Sequence, residues 1–246
     1  MHEEHTILTI DIGNSTTKIC VFEGERLIQS VVGSDPGTQA VETMLDFYSV
    51  DGIAYCCVGK DSSDIGGFVK SCGVSWLVLG PDTPLPIEVR YDRSTLGADR
   101  VAAAVGACSV SENVLIVDAG TAVTTDLVAG GVYLGGNISP GLHLRFKALS
   151  DYTSRLPRVS AEGEIPLLGH DTVTAIRAGV VGGLVSEIKD IFLTLRNSYK
   201  DLKIVLTGGD SPFLVPLLRK SGVNAETDPE TLGRGLVRIF NYNDRL

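Results

Sequence analysis

VLIVDAGTAVTTDLV, residues 114–128, is the stretch whose reading decides the fold. Four aliphatic residues, Val114 to Val117, run directly into Asp118, and Gly120 and Thr121 follow. An unbroken β-branched and aliphatic run of this length suits a strand buried on both faces. Asp118 then falls at the strand's carboxyl end, beside a glycine that permits a tight turn and close approach of a ligand. Alternation at Val123, Thr125 and Leu127 predicts a second strand folded back on the first. A carboxylate, bare amides and Thr hydroxyls in one turn suit a cation-bound phosphate.

The same device occurs near the amino terminus. Residues 7–22 read ILTIDIGNSTTKICVF, and Asp11 and Gly13 lie over Asp118 and Gly120 with one offset, since 118 − 11 = 120 − 13 = 107. At that offset Thr17 lies over Thr124, and the two segments superpose without a gap. One Asp-x-Gly is weak evidence. Two, each between an apolar strand and a Thr-bearing strand, predict a duplicated domain.

Size and composition set the outer limits. The chain has 246 residues, 43% hydrophobic and 21% charged, enough for a sizeable core in a soluble globular protein. A formal net charge of −9 argues against general binding to nucleic acid or to a membrane surface. No apolar run approaches transmembrane length, and the acidic start MHEEHT lacks the features of a secretory leader. Five Cys without metal-site spacing, and four scattered His, read as reduced core residues of a cytoplasmic protein rather than a zinc site.

In chain order, residues 7–32 form a three-stranded meander. Residues 38–48 form a helix, 53–58 a strand, 64–72 a helix and 76–79 a strand, with a proline-rich loop at 80–86. An Ala-rich helix covers 101–108, with Gly97, Ala98, Asp99 and Arg100 on its first turns. Spacing leaves Asp99 open: it is either a helix-start carboxylate stabilised by the helix dipole or a functional acid. After the 114–128 hairpin come a strand at 130–138 and a helix at 142–149. A longer helix follows to about 195, capped by Asp171 or Thr172. Gly179, Gly182 and Gly183 inside it each cost roughly 1 kcal/mol relative to Ala, which predicts close approach of another helix, strand or subunit. A strand at 203–206 ends in Thr207-Gly208-Gly209, and helices at 212–220 and 231–240 finish the chain.

Two Asp-Gly hairpins and a strand-Gly-Gly turn resemble the superfamily of acetate and sugar kinases, Hsp70 and actin. Within it the chain resembles type III pantothenate kinases over nearly its whole length. The matching elements are Asp11-Ile12-Gly13-Asn14-Ser15, Leu96-Gly97-Ala98-Asp99-Arg100, Asp118-Ala119-Gly120-Thr121-Ala122, Gly135-Gly136-Asn137-Ile138-Ser139-Pro140-Gly141 and Thr207-Gly208-Gly209. The resemblance implies an α/β fold of duplicated ribonuclease H-like domains, each a mixed sheet flanked by helices, divided here as 1–112 and 113–246. It implies transfer of phosphate from ATP to pantothenate, yielding 4'-phosphopantothenate at the start of coenzyme A biosynthesis.

It also implies roles for residues. Asp99 becomes the general base. Tyr91, Gly97, Ala98, Arg100 and Thr172 join it in holding pantothenate. ATP falls to Asp11, Ile12, Gly13, Asn14, Ser15, Thr16, Thr17 and Lys18, to Thr121, and to Gly208 and Gly209 on the adenosine side. Asp11 serves magnesium, directly or through water, and Asp118 serves potassium or ammonium. The family's homodimer, with its pantothenate pocket beside the subunit contact, gives the glycine-bearing helix a use. Ser15 stands where the family more often has Thr, and Asp171 where it usually has Asn. The competing readings are a kinase of another small hydroxy acid or sugar, and a non-catalytic transcription accessory factor on the same fold. The latter needs a damaged site, whereas Asp11, Asp99, Arg100, Asp118 and Thr121 are all present.

Overall fold

The computed structural model describes residues 5–245. Residues 1–4 of the acidic start read above, with His2, and the final Leu246 lie outside the described residues. The chain divides into two compact units, 1–109 with 131–134 and 230–246, and 110–130 with 135–229.

The first unit begins with β1 (Thr6–Ile12), β2 (Thr17–Glu23) and β3 (Arg26–Gly33). It continues through α1 (Gly37–Phe47), β4 (Gly52–Cys57), α2 (Ile65–Ser71), β5 (Ser75–Val78), the short β6 (Glu88–Val89) and α3 (Ala98–Ala107). The sheet runs β3-β2-β1-β4-β5. β1 pairs antiparallel with β2 and parallel with β4, and β4 pairs parallel with β5. β1 is central and buried on both faces, as its apolar run requires: Ile7, Leu8 and Ile10 are all fully buried. Asp64 caps α2 by accepting the Gly67 N–H.

The second unit contains β7 (Asn113–Ala119), β8 (Ala122–Ala129) and β9 (Val132–Pro140) from Gly135 onward, its first three residues belonging to the first unit, then α4 (Leu142–Asp151). A capped helix α5 (Thr172–Arg177) follows, then a π-helical turn (Ala178–Gly182) and α6 (Gly183–Arg196). β10 (Lys203–Thr207), α7 (Ser211–Lys220) and β11 (Glu226–Thr227) complete it. Read from β9, its strands run β9-β8-β7-β10-β11. β7 pairs antiparallel with β8 and parallel with β10, which pairs parallel with β11. These five strands stand in the order of the first sheet, and β6 adds a sixth strand beyond β9, so the repeat read in two hairpins extends to five strands of each sheet.

Four expectations change. The long helix after Asp171 is not one regular helix, because the π-helical turn interrupts it at Gly179 and Gly182. Two-residue strands β6 and β11 are too short to leave a periodic signal. The hairpins do not superpose throughout: Ile12 pairs with Thr17, but Ala119 pairs with Val123. The second turn is one residue shorter, so Asp11 lies across from Lys18 and Asp118 across from Thr124. Finally α8 (Thr231–Asn243), expected with the second half of the chain, lies in the first unit. Its Arg238 is bound to Glu25 by two hydrogen bonds of 2.7 and 2.8 Å. Helix propensity fixes where such a helix begins and ends, not which surface it covers.

Candidate active site

In the first unit the β1–β2 turn is closed by a 2.9 Å bond from the Gly13 N–H to the Thr16 carbonyl. Asn14, Ser15 and Thr16 are exposed at its tip, while Ile12 and Thr17 are buried below it and Asp11 and Lys18 are half-buried. The tip is steadied by the segment after β4. The Val58 and Gly59 amides both donate to the Ile12 carbonyl, at 2.9 and 3.0 Å. A Cβ on Gly59 would lie 2.0 Å from the Gly13 oxygen, so only glycine allows the approach.

Asp99 is half-buried on the first turn of α3, and its Oδ1 accepts the Arg100 N–H at 2.8 Å. The carboxylate curls back over Gly97, where a Cβ would come within 2.4 Å of Oδ1. Arg100 is buried, and its guanidinium lies 5.7 Å from the centre of the Tyr91 ring, a cation–π contact. Tyr133 meets Tyr91 edge-on, with centroids 6.0 Å apart. Asp11 pairs with Cys56 across β1 and β4. Burial, then the charges of Asp11 and Asp99, push the Cys56 thiol well above its ordinary range. Both carboxylates therefore lie within electrostatic reach of one buried side chain. The first hairpin, α3 and the Tyr91 segment are thus drawn together within one unit.

The second unit gathers Asp118, Thr121, Gly208 and Gly209. β10 pairs with β7 in a register that sets Thr207 beside Asp118. Gly208 turns with φ +84, and a Cβ there would sit 2.4 Å from Asp118 Oδ1 and 2.5 Å from the Ala119 carbonyl. The Asp210 N–H donates to that carbonyl at 2.9 Å, and the Ser211 hydroxyl donates to the Gly208 carbonyl at 2.8 Å. Burial raises the Asp210 carboxyl, with nearby His143 opposing the shift. On the other side of the turn, the Gly141 N–H donates to the Thr121 carbonyl at 3.1 Å.

Thr172 opens α5 and lines a groove of about 1010 Å³ together with Leu144, Tyr152, Ile176 and Gly179. Its neighbour Asp171 is the helix cap: Oδ1 accepts the Thr174 N–H and hydroxyl, each at 2.7 Å. Those bonds hold its carboxyl below the usual range. An Asp here therefore does the capping work that an Asn side-chain oxygen can also do. The sequence offered Gly141 as part of a matching element but not Gly59 or Tyr133. Gly59 follows an apolar strand as the recognised glycines do, whereas nothing local marks Tyr133.

Both carboxylates suit the cations that the resemblance implies. Asp118 Oδ1 and the Ala119 carbonyl edge a hollow that any Cβ at position 208 would fill, an oxygen-lined cradle for a hard cation. Asp11 offers a half-buried carboxylate at a strand end, the donor type that magnesium takes. Among the described residues no cluster of three or more His, Cys, Asp and Glu could hold a metal.

The family profile described as type III pantothenate kinase matches residues 7–193. A type III pantothenate kinase from Porphyromonas gingivalis is 42% identical over 244 residues, covering 96% of this chain and 98% of the relative. A solved structure from Campylobacter jejuni, described as a Baf-family transcriptional activator, is 26% identical. It superposes with a TM-score of 0.66 over 97% of this chain and 100% of that one. An N-acetylmannosamine kinase from Listeria monocytogenes, at 13% identity and TM-score 0.55 over 97% and 99% of the two chains, shares the fold alone. With a five-strand order repeated in its two sheets, hairpin carboxylates at Asp11 and Asp118, and this likeness over nearly its full length, the chain belongs to the type III pantothenate kinase family.

Proposed function

We propose that this protein moves the terminal phosphoryl group of ATP to the primary hydroxyl of pantothenate, making 4'-phosphopantothenate and ADP for coenzyme A biosynthesis. The observation that carries the reading is the grouping in the first unit of Asp99, the Arg100–Tyr91 pair and the Asp11 hairpin.

In this reading Asp99 accepts the hydroxyl proton as oxygen attacks phosphorus, and the bond to the ADP oxygen breaks. Phosphoryl transfer asks a protein chiefly for alignment and charge stabilisation, and a carboxylate held at a helix start supplies the first. Arg100, buried and oriented by the Tyr91 ring, would donate to the pantothenate carboxylate from its planar fork. Gly97 and Ala98 lie on the same turn and would join it in holding pantothenate, a role the family resemblance also gives Thr172. Exposed Asn14, Ser15 and Thr16 present amides and hydroxyls to the phosphates, with Ile12, Gly13, Thr17 and Lys18 forming the rest of that cradle. Thr121 would serve the phosphates as well. Gly208 and Gly209 leave room for adenosine. Asp11 would hold magnesium, which offsets phosphate charge when bound, and Asp118 would hold potassium or ammonium.

The active unit in this reading is a homodimer. The groove walled by Leu144, Ala148, Tyr152, Ala175, Ile176 and Gly179 is apolar, and Tyr152 stands 88% exposed at its edge. A large apolar face of this kind favours a partner surface. Free cysteines throughout the described residues suit the cytoplasm, and the net charge of −9 suits metabolite substrates rather than nucleic acid. A transcription accessory role finds no support in the site residues, which are complete.

Asp99→Asn tests the reading. It keeps the shape and removes the charge, so turnover should fall by roughly 10²–10⁴-fold while ATP binding and melting temperature hold. Turnover within a few-fold of wild type in a coupled assay would remove Asp99 as the base. Arg100→Ala should act mainly on the Michaelis constant for pantothenate.

A further inference from the structure

We propose that Arg145, Glu187 and Ser139 form a clasp that holds the second phosphate hairpin in its working position. On this view Arg145 and Glu187 are positioning residues for the nucleotide.

The carboxyl end of β9 needs such a fastening. Gly136, Asn137, Ile138 and Pro140 are all exposed there, Ile138 to 65%, so no apolar anchor holds the strand end. Side-chain hydrogen bonds from two helices do so instead. From α4, Arg145 Nη2 donates to Glu187 Oε2 at 2.6 Å and to Ser139 Oγ at 3.0 Å, and its Nε donates to the Pro140 carbonyl at 2.7 Å. The Ser139 hydroxyl donates to the other carboxylate oxygen of Glu187, on α6, at 2.6 Å. One guanidinium fork therefore joins a helix start, a strand end and a second helix.

What the clasp fixes is the next residue, Gly141. Its N–H donates to the Thr121 carbonyl, and a Cβ there would lie 2.1 Å from the Gly120 oxygen. Backbone thus rests on backbone, and the Gly120–Thr121 turn follows wherever Gly141 is held. The opposite side of the same hairpin, at Ala119, is held through Asp210 and the β7–β10 ladder. On the clasp side β9 pairs with β8, and these side chains fasten the strand's exposed end to α4 and α6. Stability alone is a poor reason for the pair, because its side chains keep 20% and 32% of their surface in solvent. The value of the clasp lies in geometry: a misplacement of about 1 Å far from the chemistry can cost on the order of a hundredfold in rate.

The proposal rests on Thr121 serving ATP, and its test separates the two claims. Arg145→Met, Arg145→Lys, Glu187→Met, the Arg145→Met/Glu187→Met double variant and Thr121→Ala would be compared with wild type. Measurements are amide exchange of residues 119–124 without nucleotide, Michaelis constants for ATP and pantothenate, and light scattering. Each clasp variant should speed exchange in the turn and lower kcat/KM for ATP by roughly ten- to a hundredfold. The constant for pantothenate should stay at the wild-type value. Lys at 145 should not rescue, because a single ammonium cannot reproduce the fork. The double variant should lose less than the sum of the singles, since no charge is left alone. Unchanged exchange in the turn overturns the clasp, as does a kinetic defect that appears only with dissociation to monomers. Faster exchange with normal ATP kinetics also overturns it. In that event a silent Thr121→Ala places the fault in the role given to Thr121, and a damaged one places it in the clasp.

Discussion

Two sets of glycines sit inside helices of this protein, and they differ in what surrounds the missing side chain. Gly106 on α3 and Gly235 on α8 are buried, and the two helices meet backbone to backbone. A Cβ on Gly106 would lie 1.8 Å from the Thr231 carbonyl oxygen, and one on Gly235 would lie 1.7 Å from that of Ala102. Around Gly179, Gly182 and Gly183 an added Cβ would meet nothing within 4 Å. Sequence presents both sets alike, as helical glycines each costing roughly 1 kcal/mol relative to Ala. Packing separates them. At the first, α8 braces the helix that carries Asp99. At the second, none of the described residues supplies the predicted close neighbour, and the backbone widens into a π-helical turn beside the apolar groove. Interrupted helices of this kind are frequent at functional sites.

The largest expected effect is therefore at the crowded pair. Gly106→Ala adds one methyl where a carbonyl already stands, and should destabilise the protein by about 2–3 kcal/mol despite alanine's better helix propensity. Denaturant unfolding measures it, and a neutral result would mean that α3 and α8 part without cost. Next come Gly179→Leu and Gly183→Leu. If a second copy covers the groove, bulk there should weaken the dimer by about 1–2 kcal/mol, roughly five- to thirtyfold in dissociation constant. Sedimentation across a concentration series would show the shift toward monomer, and a dimer of unchanged affinity would move the interface elsewhere.

Smaller still is Gly183→Ala, the same chemical change as at Gly106 but in open space. It should stabilise by about 0.5–1 kcal/mol, so its sign sharpens the contrast, and a loss of stability would show that the glycine is needed for close approach after all. Asp171→Asn should do least at neutral pH, since an amide oxygen can still accept the Thr174 bonds. The sign of its pH dependence is definite. Asp171 ionises more readily in the folded protein, so its contribution is present above the unfolded-state value and is lost as pH falls through the folded one. Thermal melts should show wild type and variant converging as the pH drops below about 4. A gap that stays constant there would mean that the carboxylate charge contributes nothing to the cap.

The hairpins show how far local sequence carries. Residues 7–12 and 114–119 are apolar runs ending in Asp-x-Gly, and a strand buried on both faces leaves such a run whatever surrounds it. Both strands, both carboxylates and both turns were legible for that reason. The return strands were not fully so. A missing residue in the second turn shifts pairing by one, placing Thr124 rather than Thr125 opposite Asp118. Polar residues at 124, 125 and 126 tolerate either alignment on paper, and only the hydrogen-bond ladder selects one.

Sequence by itself determined the duplicated α/β architecture and the family, because strand burial, turn glycines and charged groups are written in consecutive positions. Tertiary structure decided what depends on distant partners. It placed α8 against α3, set buried Tyr133 edge-on to Tyr91, and tied Ser139 to Glu187 across 48 positions. Each of these contacts joins residues with no shared periodicity. Chain connectivity permits many such pairings, and only simultaneous packing of the whole core leaves one.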